Sequence, residues 1–193
     1  CRIGVDDLEG SAFLNNFIER LIGSGVNTFI IHARKAISGL DTKRNRSIPP
    51  LIYDEVYKIK QNYPDTEIIL NGGISSHKEI NNHLTNVDGV MLGRKVYSDP
   101  SFLLSVDNNI YNEQNLFSID QALMSFMEYI LKLENKKDAN RAIGHLMQFI
   151  KSLSIEKQKR KILLDELNNK NVELTNVFEN FTQDYQKNLS LNL

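Results

Sequence analysis

Three short segments carry side chains or bare backbone able to do chemistry, and each follows directly on a run of apolar residues. Asn71-Gly72-Gly73-Ile74 follows Glu67-Ile68-Ile69-Leu70. Two consecutive glycines leave backbone N–H groups open to an anion, with no Cβ in the way. Gly93-Arg94 ends the next run, Gly89-Val90-Met91-Leu92, with another bare amide and a permanent positive charge. A Gly-Gly pair by itself reads as a tight turn; with Gly93-Arg94 on the following run, the two together read as a phosphate site. His32 closes Thr28-Phe29-Ile30-Ile31 and begins His32-Ala33-Arg34-Lys35-Ala36. A histidine so placed is either a hydrogen-bonded structural residue or a functional group at the mouth of a strand.

The segment after His32 is long and basic, with Arg34, Lys35, Lys43, Arg44 and Arg46 against Asp41 alone. Connections of that length are commonly functional. A second cluster, Lys157, Lys159, Arg160 and Lys161, lies far along the chain, and two basic patches suit one long polyanion. The chain as a whole is not basic: 23 Lys+Arg and 24 Asp+Glu leave a net charge of -1 over 193 residues. That excludes a surface built throughout as a polyanion-binding face. The single cysteine, Cys1, excludes an internal disulfide and favours a reducing compartment, so a cytoplasmic location is expected. Cys1 lies in a strand pattern and reads as a packing residue rather than a nucleophile. Four scattered histidines and one cysteine give no ligand spacing, so no metal is expected. Asp6, Asp7 and Glu9 read as the acidic approach to a helix N-terminus. No apolar run approaches the ~20 residues of a membrane span.

The elements that must position these residues fall into two parts. The first hundred residues hold nine of the ten glycines and all four prolines. There the apolar runs 28–32, 67–71 and 89–92 predict parallel strands buried on both faces, with Cys1–Val5 as the tail of one more. Phe13, Leu14, Phe17, Ile18 and Leu21 predict a helix stopped by Gly23 or Gly25, and Leu51, Val56, Ile59 and Tyr63 another ending before Pro64. Ser76 and Glu79 have capping-box spacing. Alternating strands and helices mean a parallel sheet, doubly wound or a (β/α)8 barrel. A complete barrel takes about 250 residues; four strands in about 100 is half of one. Residues 1–104 are accordingly expected to be the C-terminal half of a TIM barrel and 105–193 an all-α helical bundle. Its stripes are Ile119, Leu123, Phe126, Met127, Ile130 and Leu133; Ile143, Leu146, Met147, Ile150 and Leu153; Ile162, Leu163 and Leu167; and Leu174, Val177, Phe178, Phe181 and Tyr185. A chain opening on Cys1 within a strand is expected to be truncated, and to be a monomer.

Cys1-Arg2-Ile3-Gly4, His32-Ala33-Arg34-Lys35-Ala36, Gly39-Leu40 and Asn45-Arg46-Ser47-Ile48-Pro49-Pro50-Leu51 stand in the order found in one enzyme family. Asn71-Gly72-Gly73-Ile74 and Val87-Asp88-Gly89-Val90-Met91-Leu92-Gly93-Arg94, with Tyr97 and Pro100, continue the series. Together they resemble the tRNA-dihydrouridine synthases, specifically the A subfamily, densely over residues 1 to about 104 and in general pattern beyond. The resemblance implies an FMN-containing barrel and a helical domain that helps hold tRNA. NADPH reduces the flavin, the flavin passes hydride to a uridine of the D-loop, and a cysteine acts as general acid. By matching position, His32, Asn71, Gly72, Gly73, Gly93 and Arg94 would hold FMN, while Lys43, Arg46 and Arg160 would contact tRNA. The family's flavin-contacting lysine and its general-acid cysteine would lie before residue 1, and Cys1 matches a strand position. The isolated chain is therefore expected to be inactive. A different FMN or sugar-phosphate barrel acting on a small substrate, and a non-enzymatic RNA-binding module, are the rival readings of the same residues.

Overall fold

The computed structural model describes residues 1–7, 10–114, 117–153, 155, 157–167 and 173–190. It is an α/β protein with a partial parallel sheet and a majority of helix, divided into two compact units, Cys1–Gly93 and Arg94–Leu193.

In the first unit the β-branched and aromatic runs pair as three parallel strands in the order β1 (Thr28–His32), β2 (Glu67–Asn71), β3 (Gly89–Met91). Their register sets Ile30 beside Ile69 and Gly89, and His32 beside Asn71 and Met91. The opening segment runs parallel to the free edge of β1 through isolated bridges Arg2–His32 and Val5–Ala36. There the His32 N–H donates to the Cys1 carbonyl at 2.9 Å and the Ala36 N–H to the Gly4 carbonyl at 2.8 Å. The backbone of Cys1 joins the sheet, but its side chain is exposed, not packed as its strand position suggests.

Helices α1 (Gly10–Ile22), α3 (Tyr53–Asn62) and α4 (His77–Leu84) cross between the strands. A short α2 (Thr42–Asn45) interrupts the long connection after β1. The Ser76 hydroxyl accepts from the Glu79 N–H, while the Glu79 carboxylate takes the N–H and hydroxyl of Ser75. These bonds hold the Glu79 carboxyl below its usual range. Phe29, Ile31, Ile68 and Leu70 are buried with Leu14, Ile18, Val56, Ile59 and Ile80 in one core.

Burial on both faces does not hold. Ile30 is 38% exposed and Met91 40%, because the helices cover only the face carrying Phe29, Ile31, Ile68 and Leu70. The alternate positions, Thr28, Ile30 and His32 with Glu67, Ile69 and Asn71, line the other face. Phe13 and Phe17 are also half-exposed, leaving Leu14 and Ile18 as the buried members of the α1 stripe.

The second unit opens with α5 (Arg94–Ser98), a 3-10 helix over Pro100–Ser105 and α6 (Val106–Tyr111). No apolar stripe announces these short elements. Residues 94–104, grouped with the sheet by sequence, pack within the second unit, with α5 and the 3-10 helix against α8. Phe102 is buried there under the Lys95 ammonium, 5.1 Å from the ring centre. Helices α7 (Ile119–Leu131), α8 (Lys136–Ser152), α9 (Lys157–Leu167) and α10 (Leu174–Ser190) follow. Ser118 and Gln121 form a complete capping box at the start of α7. Leu123, Met127, Ile130, Leu146, Ile150, Leu163, Val177 and Phe178 form the core of these four helices. Ile162 is 51% exposed, so Leu163 and Leu167 carry the inward face of α9. No helix among the described residues is long and apolar enough to cross a membrane.

Candidate functional site

Strand polarity gathers the C-terminal ends of β1, β2 and β3 at one edge of the first unit, and register puts His32, Asn71 and Met91 side by side there. All three project from the open face, with Ile30 and Ile69 one step below them. The Asn71 side-chain amide donates to Met91 Sδ at 3.2 Å. An amide and an imidazole thus stand at the rim of a flat apolar surface.

The chain leaves β2 through Gly72 and Gly73, with φ of 129° and 73°. A Cβ on Gly72 would lie 2.7 Å from Leu51 Cδ2 and 3.4 Å from His32 Cε1. One on Gly73 would lie 2.6 Å from Leu51 Cδ1. The backbone conformation favours glycine at both positions, and the Leu51 methyl groups would have to move aside for any side chain there. The turn is held from beneath by Tyr53, whose hydroxyl donates to the Gly72 carbonyl at 2.8 Å. The Tyr53 ring rests on His83, with centroids 4.5 Å apart, and His83 Nδ1 is hydrogen-bonded to the Tyr57 hydroxyl at 2.6 Å. Burial pushes the pKa of His83 down and those of Tyr53 and Tyr57 up, so this cluster favours its neutral forms. None of the three was legible as part of the site, since the Tyr53–Gly72 bond joins residues nineteen apart on different elements.

At the opposite edge of the sheet from the turn, Asp88 fixes the N-terminal ends of β2 and β3. Its Oδ2 accepts the Ile68 N–H at 2.8 Å and its Oδ1 pairs with the Lys60 ammonium at 2.8 Å. Burial raises the Asp88 pKa, and these partners outweigh it, holding the carboxyl below its usual range.

The long connection after β1 is built rather than loose. Asn45 accepts the Ile37 N–H at 2.8 Å and donates to the carbonyls of Ile37 at 2.9 Å and Leu40 at 3.0 Å. Arg2 donates to the carbonyls of Lys35 and Asn45, and Arg34 to that of Pro49. Asp6 takes both the N–H and the hydroxyl of Ser38 at 2.6 Å, which lowers its pKa. With the backbone so anchored, Lys43 and Arg46 stand exposed on and just after α2.

Of the residues singled out by sequence, His32, Asn71, Gly72 and Gly73 come together at one edge. Gly93 lies two residues past β3 with open space where a Cβ would be. Arg94 opens the second unit and is exposed; Arg160 is half-buried on α9 of that unit. No group of three or more His, Cys, Asp or Glu placed to hold a metal occurs among the described residues.

The family model described as "Dihydrouridine synthase (Dus)" matches residues 1–190. A tRNA-dihydrouridine(20/20a) synthase of Haemophilus ducreyi is 39% identical over 165 residues, which cover 84% of this chain and 51% of that protein. One from Salmonella typhimurium is 40% identical over 154 residues, 79% of this chain and 46% of the relative. One from Synechocystis is 36% identical over 169 residues, 85% and 50% respectively. The chain spans about half the length of the curated relatives it matches.

Proposed function

The chain belongs to the dihydrouridine synthase family, and we propose that it forms the flavin- and RNA-holding part of an enzyme that reduces uridine to 5,6-dihydrouridine in the tRNA D-loop. The observation that carries the proposal is the open sheet face with His32 and Asn71 at its rim and the Gly72-Gly73 turn beside them. In a complete (β/α)8 barrel side chains of the other strands would fill the face carrying Ile30 and Ile69, and a flat aromatic ring system would sit at the C-terminal strand ends, where His32, Asn71 and Met91 stand side by side. The donor set therefore fits FMN. His32 and Asn71 would hydrogen-bond its polar edge, and the bare amides of Gly72, Gly73 and Gly93 would hold its phosphate.

Bound FMN, re-reduced by NADPH, supplies the hydride. This chain's residues bind and orient. Tyr53 fixes the Gly72 carbonyl and so aims the adjoining amides. Lys43 and Arg46, exposed on and just after α2, would take RNA phosphates. The resemblance matches Cys1, the single cysteine, to a strand position, so no residue of this chain is assigned as the proton donor. The 193 residues alone are expected to leave tRNA unreduced.

The test is expression of the complete open reading frame in a host whose tRNA lacks D-loop dihydrouridine. Restored dihydrouridine, read by mass spectrometry of tRNA digests, and one FMN per polypeptide are expected. His32→Ala and Asn71→Ala should each lower the bound flavin in the absorbance spectrum. A protein that carries no flavin, or whose activity on a small substrate survives neutralisation of Lys43 and Arg46, would overturn the proposal.

A further inference from the structure

A circuit of side chains on α4 and α3 leads from the Gly72-Gly73 turn back to itself. Forward along the chain, the turn runs into Ser75 and Ser76. The Glu79 carboxylate accepts from the Ser75 N–H at 2.9 Å and from both serine hydroxyls at 2.9 and 3.0 Å. One helical turn later, on the same face of α4, stands His83, which is only 8% exposed. Its Nδ1 shares a hydrogen with the Tyr57 hydroxyl across 2.6 Å, and its ring centroid lies 4.5 Å from that of Tyr53. Tyr53 closes the circuit by donating to the Gly72 carbonyl at 2.8 Å. That carbonyl and the Gly73 N–H belong to one planar trans peptide and point opposite ways. Fixing the carbonyl toward α3 therefore aims the Gly73 N–H away from it.

His83 joins the helix that follows the turn to the tyrosine beneath it, and it does so as a neutral ring. Neutral imidazole needs one shared proton to satisfy Nδ1 against the Tyr57 hydroxyl. A second proton would place a full charge in a site almost closed to water. The groups around the ring offer little to hold that charge. Glu79 on α4 favours it, while Tyr53 and Tyr57 on α3 are held neutral by burial. Asp54 is felt at Tyr57 and Arg34 at Tyr53, with opposite signs. Burial outweighs Glu79, so the ring protonates only below the ordinary histidine range. A charged ring gains water by turning out from under Tyr53, and the hydroxyl that holds Gly72 then loses its backing.

We propose that His83 is a positioning residue for the flavin phosphate: its neutral ring backs Tyr53, Tyr53 fixes the Gly72 carbonyl, and protonation of the ring releases the turn. This rests on the reading of Gly72-Gly73 as the phosphate site. It deepens that reading by making retention of the phosphate depend on a buried histidine of α4 that lies behind Tyr53 rather than at the turn.

The test uses the protein from the complete open reading frame, stripped of flavin and titrated with FMN and with riboflavin, which lacks the phosphate. Flavin fluorescence reads both affinities. Tyr53→Phe is expected to weaken FMN about threefold to tenfold and to leave riboflavin unchanged. Between about pH 7.5 and 5 the FMN phosphate and His32 titrate in every variant, so His83 is read as a difference. Over that range the parent's preference for FMN should fall about threefold further than that of His83→Phe, whose ring takes no proton. Tyr57→Phe removes the partner of Nδ1 without touching the turn; it should lower the preference for FMN in the same sense, and it decides where His83→Phe does not fold. Tyr63→Phe, which loses a bond to the Asn15 carbonyl in the same unit, reports a general loss of stability and should leave the preference as it is. If Tyr53→Phe weakens both flavins equally or neither, or if His83→Phe follows the parent across the pH range, the positioning role is refuted and the phosphate reading stands. If the parent binds riboflavin as tightly as FMN, both fall.

Discussion

Replacing Gly73 by alanine tests whether the turn after β2 is set by backbone conformation and by the approach of Leu51. At φ 73° the residue lies in the left-handed region, which costs an L-amino acid roughly 1–2 kcal/mol. The new methyl would also fall 2.6 Å from Leu51 Cδ1 and 3.2 Å from the Tyr53 hydroxyl. Leu51 Cδ1 is the tip of a flexible side chain, so Leu51 would rotate off its rotamer at a cost of about 0.5–1.5 kcal/mol. Against this, alanine restricts the unfolded chain and returns roughly 0.4–1 kcal/mol. The net loss is about 2 kcal/mol, which for a unit of this size lowers the melting temperature by roughly 10 °C.

Calorimetry is the suitable assay, and the transition that carries the sheet unit is the one expected to move. Leu51→Ala removes both methyl groups that a Cβ at position 73 or 72 would meet. In that background Gly73→Ala should cost about 1 kcal/mol less, leaving the backbone part and the looser contact with the Tyr53 hydroxyl. An unchanged melting temperature for Gly73→Ala would refute the whole account. An equal loss in both backgrounds would refute the part assigned to Leu51.

Two further outcomes are expected. Asn45→Ala removes one acceptor and two donor bonds that organise residues 37–45; leaving those half-buried backbone groups unmade should cost about 1–3 kcal/mol, and limited trypsin digestion should cut at Lys43, Arg44 or Arg46 several times faster. For His83, burial lowers the pKa below the ordinary histidine value of 6.5, so between that value and the lower folded one the unfolded chain binds the extra proton. Stability is then full above pH 6.5 and falls as the pH drops below it, whereas the lowered carboxyls of Asp6, Glu79, Asp88 and Asp99 lose their contribution only at more acid pH. Urea melts of the sheet unit from pH 7.5 to 5 should show this decline, and His83→Phe should flatten it; a parent with no pH dependence in that window would contradict the burial argument.

Strand positions were the most legible part of the chain. Thr28–His32 and Glu67–Asn71 are the two longer strands, because a short β-branched run stopped by a glycine or a polar pair leaves few alternatives. The same runs misled about burial. An uninterrupted apolar stretch shows that both faces tolerate apolar company, but it does not show what supplies that company, and here Ile30 and Met91 stand half-open. Residues 94–111 were unreadable for a different reason: α5 and α6 have five and six residues, too few for a helical period to show. In α9, Ile162, Leu163 and Leu164 are adjacent apolar residues, and only packing reveals that Leu163 alone of the three is buried.

The candidate site divides along the same line. Residue types that act through their own backbone or at a strand end, Gly72, Gly73, Asn71 and His32, can be read from order alone, because strand polarity delivers them to one edge whatever the rest of the fold does. Their supports cannot, because Tyr53, His83 and Asn45 act across elements through contacts that leave no periodic trace. The consequence is directional. Substituting a side chain of the first kind should leave the fold standing, as His32→Ala would, whereas the two glycines carry the backbone cost worked out above. Substituting one of the second kind disturbs the geometry of a contact made by another residue, so Tyr53→Phe should loosen the Gly72 carbonyl and cost roughly 0.5–1.5 kcal/mol of stability while every ligand-facing side chain remains in place.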